Sequence, residues 1–167
     1  EPEHTIVIHV DGKAKDVQKQ FIAAIANPEV NKFGNMFLVP EEMRVSANWG
    51  GFSIVQATLN AMKIALGLDR EFDYVTNISG THYPVKSNAK IKEVLASSPG
   101  AIYSEIQPSP FQPNPHTEHW LYFVECDDAV HRIARHAYPR GMDMHIGSQW
   151  FHLPKYAVEW ILTDPLP

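Results

Sequence analysis

The sequence predicts an α/β fold with a mostly parallel central sheet in three layers, and three observations carry that expectation. Thr5–Val10 (TIVIHV) and Phe72–Ser79 (FDYVTNIS) are runs rich in β-branched and aromatic residues, the mark of strands buried on both faces. Segments with helical spacing lie between the runs, and strands and helices alternate along the chain, the order that builds parallel βαβ units. Ligands of such sheets collect at the carboxyl ends of the strands. Asp11, Trp49 and the loop Ser79–Pro84 are therefore expected on one edge.

The elements follow in order. Asp11-Gly12 ends the first strand, and Lys13–Ala26 reads as a helix with Val17, Phe21, Ala24 and Ile25 on one stripe, closed by Asn27-Pro28. Met36–Val39 is a short apolar strand, and Arg44–Asn48 leads into Trp49-Gly50-Gly51. Next comes the most regular helix, with Val55, Leu59, Met62 and Leu66 on one face and Ser53 at the expected N-cap. After Phe72–Ser79, Ser87 is placed to cap a helix carrying Ile91, Val94 and Leu95. Ala101–Glu105 is a further strand. Ile106–His119, with four prolines, reads as a loop, and Leu121–Val124 as a strand. Gly147-Ser148 leads into a strand at Gln149–Leu153, and Pro154 fits the first turn of a last helix carrying Ala157, Trp160 and Ile161.

Length and composition bound the function. The 167 residues suffice for one domain with a real core. A hydrophobic content of 44% with 20% charged residues is that of a globular protein. A net charge of −5 without a Lys/Arg cluster argues against a nucleic-acid partner. No apolar run reaches the roughly 18 residues that span a bilayer. The single Cys126 excludes an intramolecular disulfide and favours a reducing compartment or an excised piece; the start at Glu1 without Met also reads as a mature or excised piece. Asn77-Ile78-Ser79 matches a glycosylation pattern, but by chance in a segment read as a buried strand.

Several constellations carry chemistry, each beside a plainer reading. The strand, glycine turn and helix N-terminus around Trp49-Gly50-Gly51 make a seat for an anionic or nucleotide ligand, or a turn whose glycines serve packing alone. Asp11 is placed to accept hydrogen bonds from a base or ribose, or to cap the turn that follows it. Glu125, Asp127 and Asp128 offer oxygen ligands to Mg²⁺ or Mn²⁺, or solvate a strand end. His116 and His119 lack the helical Glu-x-x-His context of a zinc site and read as a solvated loop. Arg132, Arg135, Arg140, His131 and His136 form a basic segment for a diphosphate or acidic acceptor, or a solvated face. Cys126 sits between Glu125 and Asp127, and an acidic setting argues against a nucleophile.

IVIHVD (Ile6–Asp11), RVSANWGGFSIVQATLNAMKIAL (Arg44–Leu66), FDYVTNISGTHYPVKSNAKI (Phe72–Ile91) and FVECDDAVHRI…GSQWFHL (Phe123–Leu153) occur in one order that covers nearly the whole chain. Together they resemble the core-2/I-branching enzyme and peptide O-xylosyltransferase family of glycosyltransferases, and the xylosyltransferase branch most. The resemblance implies a glycosyltransferase-A-like, Rossmann-like nucleotide-binding fold. It implies a UDP-sugar donor and inverting, metal-independent transfer of xylose or N-acetylglucosamine to a hydroxyl of a protein or glycan acceptor. By position, Val10 and Asp11 match uridine contacts. Ser46, Ala47, Asn48 and Trp49, with Gly50 beside them, match the segment that packs on nucleotide and donor sugar. Glu105 matches an acceptor-contacting glutamate, and Gly147, Ser148, Gln149 and Trp150 match the strand lining the sugar and acceptor pocket.

Two positions depart from the pattern: His82 stands where the family usually has Asp, and Gln149 where the xylosyltransferases have Asp. The family's catalytic Glu is expected beyond Pro167, together with the basic residues that face the diphosphate. The chain therefore reads as a single partial domain over residues 1–167. Its nucleotide-binding part is 1–100, the Pro-rich loop is 106–119, and the sugar- and acceptor-side strands and helix are 120–167. No cofactor and no metal site are expected. The parent protein is expected in the Golgi lumen behind a membrane anchor, or in the cytoplasm of a microbial relative. Two other functions stay open: a non-catalytic nucleotide-sugar- or glycan-binding module, favoured by His82 and Gln149, and a metal-dependent transferase using Glu125 and Asp127.

Overall fold

The computed structural model describes residues 3–108, 123–134 and 145–164. They divide between two units, one of Glu1–Arg70 with Phe111–Met142, the other of Glu71–Pro110 with Asp143–Pro167.

In the first unit the β-branched run forms β1 (Ile6–Ile8), paired in parallel with β2 (Met36–Leu38), Val7 opposite Phe37. Helix α1 (Lys15–Ala26) connects them, so this is one true βαβ crossover. Val10 and Val39, just past the two strand ends, are buried. The return from α1 is pinned by side-chain amides. Asn31 Oδ1 accepts the N–H groups of Asn35 (3.0 Å) and Met36 (3.1 Å), and buried Asn35 donates to the His4 carbonyl (2.5 Å). A 3-10 turn (Glu41–Met43) precedes α2 (Phe52–Gly67). Asn60, buried on α2, donates to the Met43 carbonyl and accepts from Gln56, so its amide is satisfied.

Of the expected α2 stripe, Met62 is buried and Leu59 and Leu66 are half-buried, whereas Val55 is 48% exposed. The α1 stripe is shallower still, with Val17 and Phe21 exposed and no residue of the helix buried. The first unit is completed by a hairpin the sequence reading missed: β5 (Phe123–Cys126) and β6 (Ala129–Arg132), antiparallel. Asp127 and Asp128 are its two-residue turn, both left-handed at φ 51° and 59°. Positive φ at both positions is the requirement of a hairpin turn matched to strand twist, and Asp tolerates it better than most residues.

The second unit contains β3 (Tyr74–Thr76), α3 (Asn88–Ser97), β4 (Tyr103–Pro108), β7 (His145–Pro154) and α4 (Lys155–Thr163). Ser87 caps α3, as expected, accepting the Lys90 N–H (3.3 Å). The strand order is β3-β7-β4 with both pairings antiparallel. This corrects the mostly parallel sheet. β3 and β4 do run in the same direction, as a β-α-β order predicts, but the late strand β7 inserts between them and converts both contacts to antiparallel. The expectation that Asp11, Trp49 and Ser79–Pro84 share one sheet edge falls with it, since β3 belongs to a different sheet from β1.

Strand β7 begins before Gly147, and Pro154 ends it as the N-cap of α4 rather than a residue of its first turn. On α4, Ala157 and Val158 are buried, Val158 completely, while Trp160 points outward. The fold is thus mixed α/β with small, mostly antiparallel sheets. Residues 109–119, with His116 and His119, lie outside the described residues, as do Leu121, Arg135, His136 and Arg140.

Candidate functional site

Within the first unit, the segments expected to bind a donor do come together. The chain leaving β1 runs beside Val45-Ser46: the Gly12 N–H donates to the Val45 carbonyl (3.0 Å) and His9 Nε2 accepts the Val45 N–H (3.1 Å). A β-carbon on Gly12 would stand 3.0 Å from Ser46 Oγ, so any other residue there crowds Val45-Ser46. Accepting a backbone N–H at Nε2 requires the neutral tautomer with its proton on Nδ1. Burial, the largest influence, holds the His9 pKa below its ordinary value. Asp11 opposes this, and Arg44 adds to it. The Arg44 side chain is only 6% exposed. Asp11 Oδ1 accepts the Lys13 N–H (2.8 Å), so the turn-capping reading of Asp11 holds for one oxygen.

Lys13 continues the link. Its ammonium donates to Asn48 Oδ1 (2.5 Å) and to the Ala47 carbonyl (3.0 Å). Asn48 in turn starts the Trp49-Gly50 turn, which closes with the Gly51 N–H on the Asn48 carbonyl (2.9 Å). Gly50 is left-handed (φ 79°), as only glycine adopts without strain. Trp49 stands at the corner of this turn, 94% exposed.

The helix start differs from the expectation. The N-cap is Gly51, without a side-chain cap of its own, and Ser53 lies inside the helix. The capping acceptor comes from β5. Glu125 Oε2 accepts the Ser53 N–H (2.7 Å), while Oε1 accepts the Ser53 hydroxyl (2.5 Å) and the Asn48 side-chain amide (2.8 Å). The Ser53 Oγ also accepts the Asn48 N–H (2.8 Å). A β-carbon at Gly51 would fall on the Glu125 carboxylate. Gly51 therefore makes room for a protein carboxylate at the helix N-terminus, where negative charge is favoured. The hydrogen bond from the Ser53 hydroxyl, then that from its backbone, then that from Asn48 hold the Glu125 carboxyl below its ordinary pKa; burial opposes them weakly.

Each residue of the acidic segment thus has a place in the fold. Glu125 caps α2, and Asp127-Asp128 form the hairpin turn. Among the described residues no three His, Cys, Asp or Glu side chains cluster as a metal site would require. An open cleft of about 470 Å³ lies beside the cap, lined by Arg44, Ser46, Asn48, Phe52, Gln56 and Glu125 among others.

In the second unit, the expected sugar and acceptor residues are also neighbours. His82 packs against Trp150 with ring centroids 4.2 Å apart at 58°. The imidazole is held in the Ser79 turn: its Nδ1 accepts the Ser79 N–H (3.2 Å) and lies 2.6 Å from Ser79 Oγ. Nδ1 as acceptor leaves Nε2 to carry the proton of the neutral ring. Gln149 receives the Asn77 side-chain amide on its carbonyl (2.9 Å), leaving its own side chain exposed. Ser148 Oγ accepts the Trp150 N–H (3.1 Å). Glu105 sits at the irregularity of β4, between Ser104 and Ile106, and its carbonyl lies 2.6 Å from where a β-carbon on Gly147 would be.

Comparison with known proteins matches the sequence over its whole length. The Core-2/I-Branching enzyme family profile covers residues 1–167. The β-1,3-galactosyl-O-glycosyl-glycoprotein β-1,6-N-acetylglucosaminyltransferase 3 of Rattus norvegicus is 29% identical over 98% of the chain and 36% of its own length. The Bos taurus protein of that name is 30% identical over the same shares. Xylosyltransferase oxt of Drosophila melanogaster is 29% identical over 98% of the chain and 18% of its own length. The chain thus spans about a third or less of these relatives, all glycosyltransferases by name. It belongs to the Core-2/I-Branching enzyme family. No helix among the described residues is long and apolar enough to cross a membrane.

Proposed function

We propose that this chain is the donor- and acceptor-binding part of a glycosyltransferase-A-like domain that moves a sugar from UDP to a hydroxyl of a protein or glycan acceptor, inverting the anomeric centre without a metal. The donor sugar in this reading is xylose or N-acetylglucosamine. The observation that carries it is the convergence of the β1 end with Ser46–Gly50, joined through Gly12 and Lys13, in a chain matched throughout by a glycosyltransferase family.

Val10, Asp11, Ser46, Ala47, Asn48, Trp49 and Gly50 contact the donor. His82, Glu105, Ser148, Gln149 and Trp150 contact sugar and acceptor. Asp11 keeps one carboxylate oxygen for the nucleoside, since the other holds Lys13. Trp49 offers a flat apolar face, and Trp150 with His82 an aromatic shelf of the kind sugars stack on. In transfer, the acceptor oxygen bonds to the anomeric carbon as the bond to UDP breaks, and a base takes the hydroxyl proton. We assign that base to no residue of this chain. Residues 1–167 are one partial domain of a parent placed in the Golgi lumen.

Calorimetric titration with UDP, UDP-xylose and UDP-N-acetylglucosamine, with and without EDTA, tests this. Binding unaffected by EDTA is expected. Absence of heat with every nucleotide contradicts the donor reading, and binding abolished by EDTA contradicts metal independence. The departures at His82 and Gln149 favour a second reading, a non-catalytic nucleotide-sugar-binding module. It predicts the same UDP binding with no transfer by the parent protein.

A further inference from the structure

We infer that Glu125 is a positioning residue for the donor-binding turn: reaching from β5 to the start of α2, it sets the geometry of Asn48–Gly51, and through Asn48 and Lys13 it couples that turn to Asp11. The inference rests on the donor-site reading above for its meaning, though not for its geometry.

Three features carry it. The Glu125 carboxylate accepts three hydrogen bonds, from the Ser53 N–H, the Ser53 hydroxyl and the Asn48 amide. It therefore ties together the first turn of α2 and the residue that opens the Trp49 turn. Hydrogen bonds to an ionised acceptor are stronger and shorter than neutral ones, so this tie outweighs the neutral contacts of the loop. Gly51 presents no side chain where the carboxylate passes, so the reach depends on that glycine. Finally, Asn48 is fully used: its amide nitrogen donates to Glu125, its side-chain oxygen accepts Lys13 Nζ, and its N–H donates to Ser53 Oγ. Lys13 N–H then sits on Asp11 Oδ1. Five residues from three separate stretches of sequence form one chain of contacts: Asp11, Lys13, Asn48, Ser53 and Glu125.

Consequently Trp49 holds its exposed position through Glu125, a residue 76 positions later. Loss of the carboxylate releases the turn while leaving the buried body of α2, at Asn60 and Met62, in place.

Amide hydrogen exchange and UDP titration on the full chain, with Glu125→Ala and Glu125→Gln beside the unaltered protein, test this together. Glu125→Ala is expected to speed exchange of the Gly51 and Ser53 amides about tenfold or more while Asn60 and Met62 keep their protection, as loss of a charge-assisted bond predicts. Glu125→Gln, which still offers one acceptor oxygen, is expected to restore most of the protection. UDP affinity should fall about tenfold in Glu125→Ala and recover partly in Glu125→Gln. Unchanged exchange at Gly51 and Ser53 in Glu125→Ala overturns the positioning role. So does an equal loss of protection throughout α2, which makes Glu125 a general stabiliser. If the unaltered chain binds no UDP, the donor reading fails, and the exchange data alone decide whether Glu125 sets the turn.

Discussion

The two glycine-bearing motifs of the candidate site, Trp49-Gly50-Gly51 in the first unit and Gly147-Ser148-Gln149-Trp150 in the second, look alike in sequence and are built differently. At Gly51 the absent side chain admits the carboxylate of Glu125, the far end of a flexible side chain. At Gly147 it admits the backbone carbonyl of Glu105 inside a strand pair. The first motif hangs on hydrogen bonds to a sequence-distant residue, whereas the second is part of a sheet ladder. Both glycines serve protein atoms, so a glycine in a candidate ligand-binding motif need not be there for a ligand. The contrast also divides tuning from scaffolding. A side chain can swing away from an obstacle, but a paired strand cannot.

The sharpest way to break this comparison is to add a methyl group at each glycine. Gly147→Ala should be the costlier change, by about 1–3 kcal/mol of stability, because a strand carbonyl must move to accept it. Gly51→Ala should lower the urea midpoint by less than half as much, since Glu125 can rotate away, yet it should weaken UDP binding as strongly as Glu125→Ala does. Equal midpoints for the two variants, measured by urea unfolding, would remove the distinction between backbone and side-chain packing.

A smaller effect sharpens the same picture from the β1 side. His9 accepts the Val45 N–H only as a neutral ring, and its pKa is lowered in the fold. The unfolded chain therefore binds the proton more readily, so stability rises with pH across the interval between the lowered native value and the ordinary 6.5. The contribution is complete above that interval and lost as pH falls through it. His9→Gln, which can accept the same N–H without titrating, should flatten the dependence of the urea midpoint between pH 8 and pH 5. A slope unchanged in the variant would assign the dependence to another group.

Much of this organisation is legible in the sequence, for reasons that differ by element. TIVIHV and the α2 periodicity are local signals, and both elements form. The Ser87 cap is equally local, since its oxygen and the Lys90 N–H are three residues apart. The cap of α2 is not. Ser53 has the right residue type in nearly the right place, but the acceptor for its N–H is Glu125, 72 residues away, which no local rule reveals. Sheet direction failed in the same way. The order β3, α3, β4 correctly implies two strands of one direction, and nothing in it announces that β7 comes between them. The β5–β6 hairpin carries a local signal. Asp127-Asp128 between FVEC and AVHR is a two-residue hairpin turn, closer to the plain strand-end reading of the acidic segment than to a metal site.

The candidate site divides similarly. The neighbourhood of Asp11, Ser46 and Asn48 is what the resemblance implies, and in the first unit the adjoining Gly12 bonds Val45 and Lys13 bonds Asn48. The linking Lys13 was missed because a lysine early in a helix reads as solvated surface.

Titration of UDP into Trp49→Ala and the unaltered chain, with urea unfolding of both, tests the central claim most directly. Trp49 is almost wholly exposed, so its removal should leave the unfolding midpoint unchanged. If the turn presents this ring to the donor, UDP affinity should fall about tenfold, the size that loss of an aromatic contact commonly has. An unchanged UDP affinity at unchanged stability would contradict the account and leave the Trp49 turn as scaffold alone.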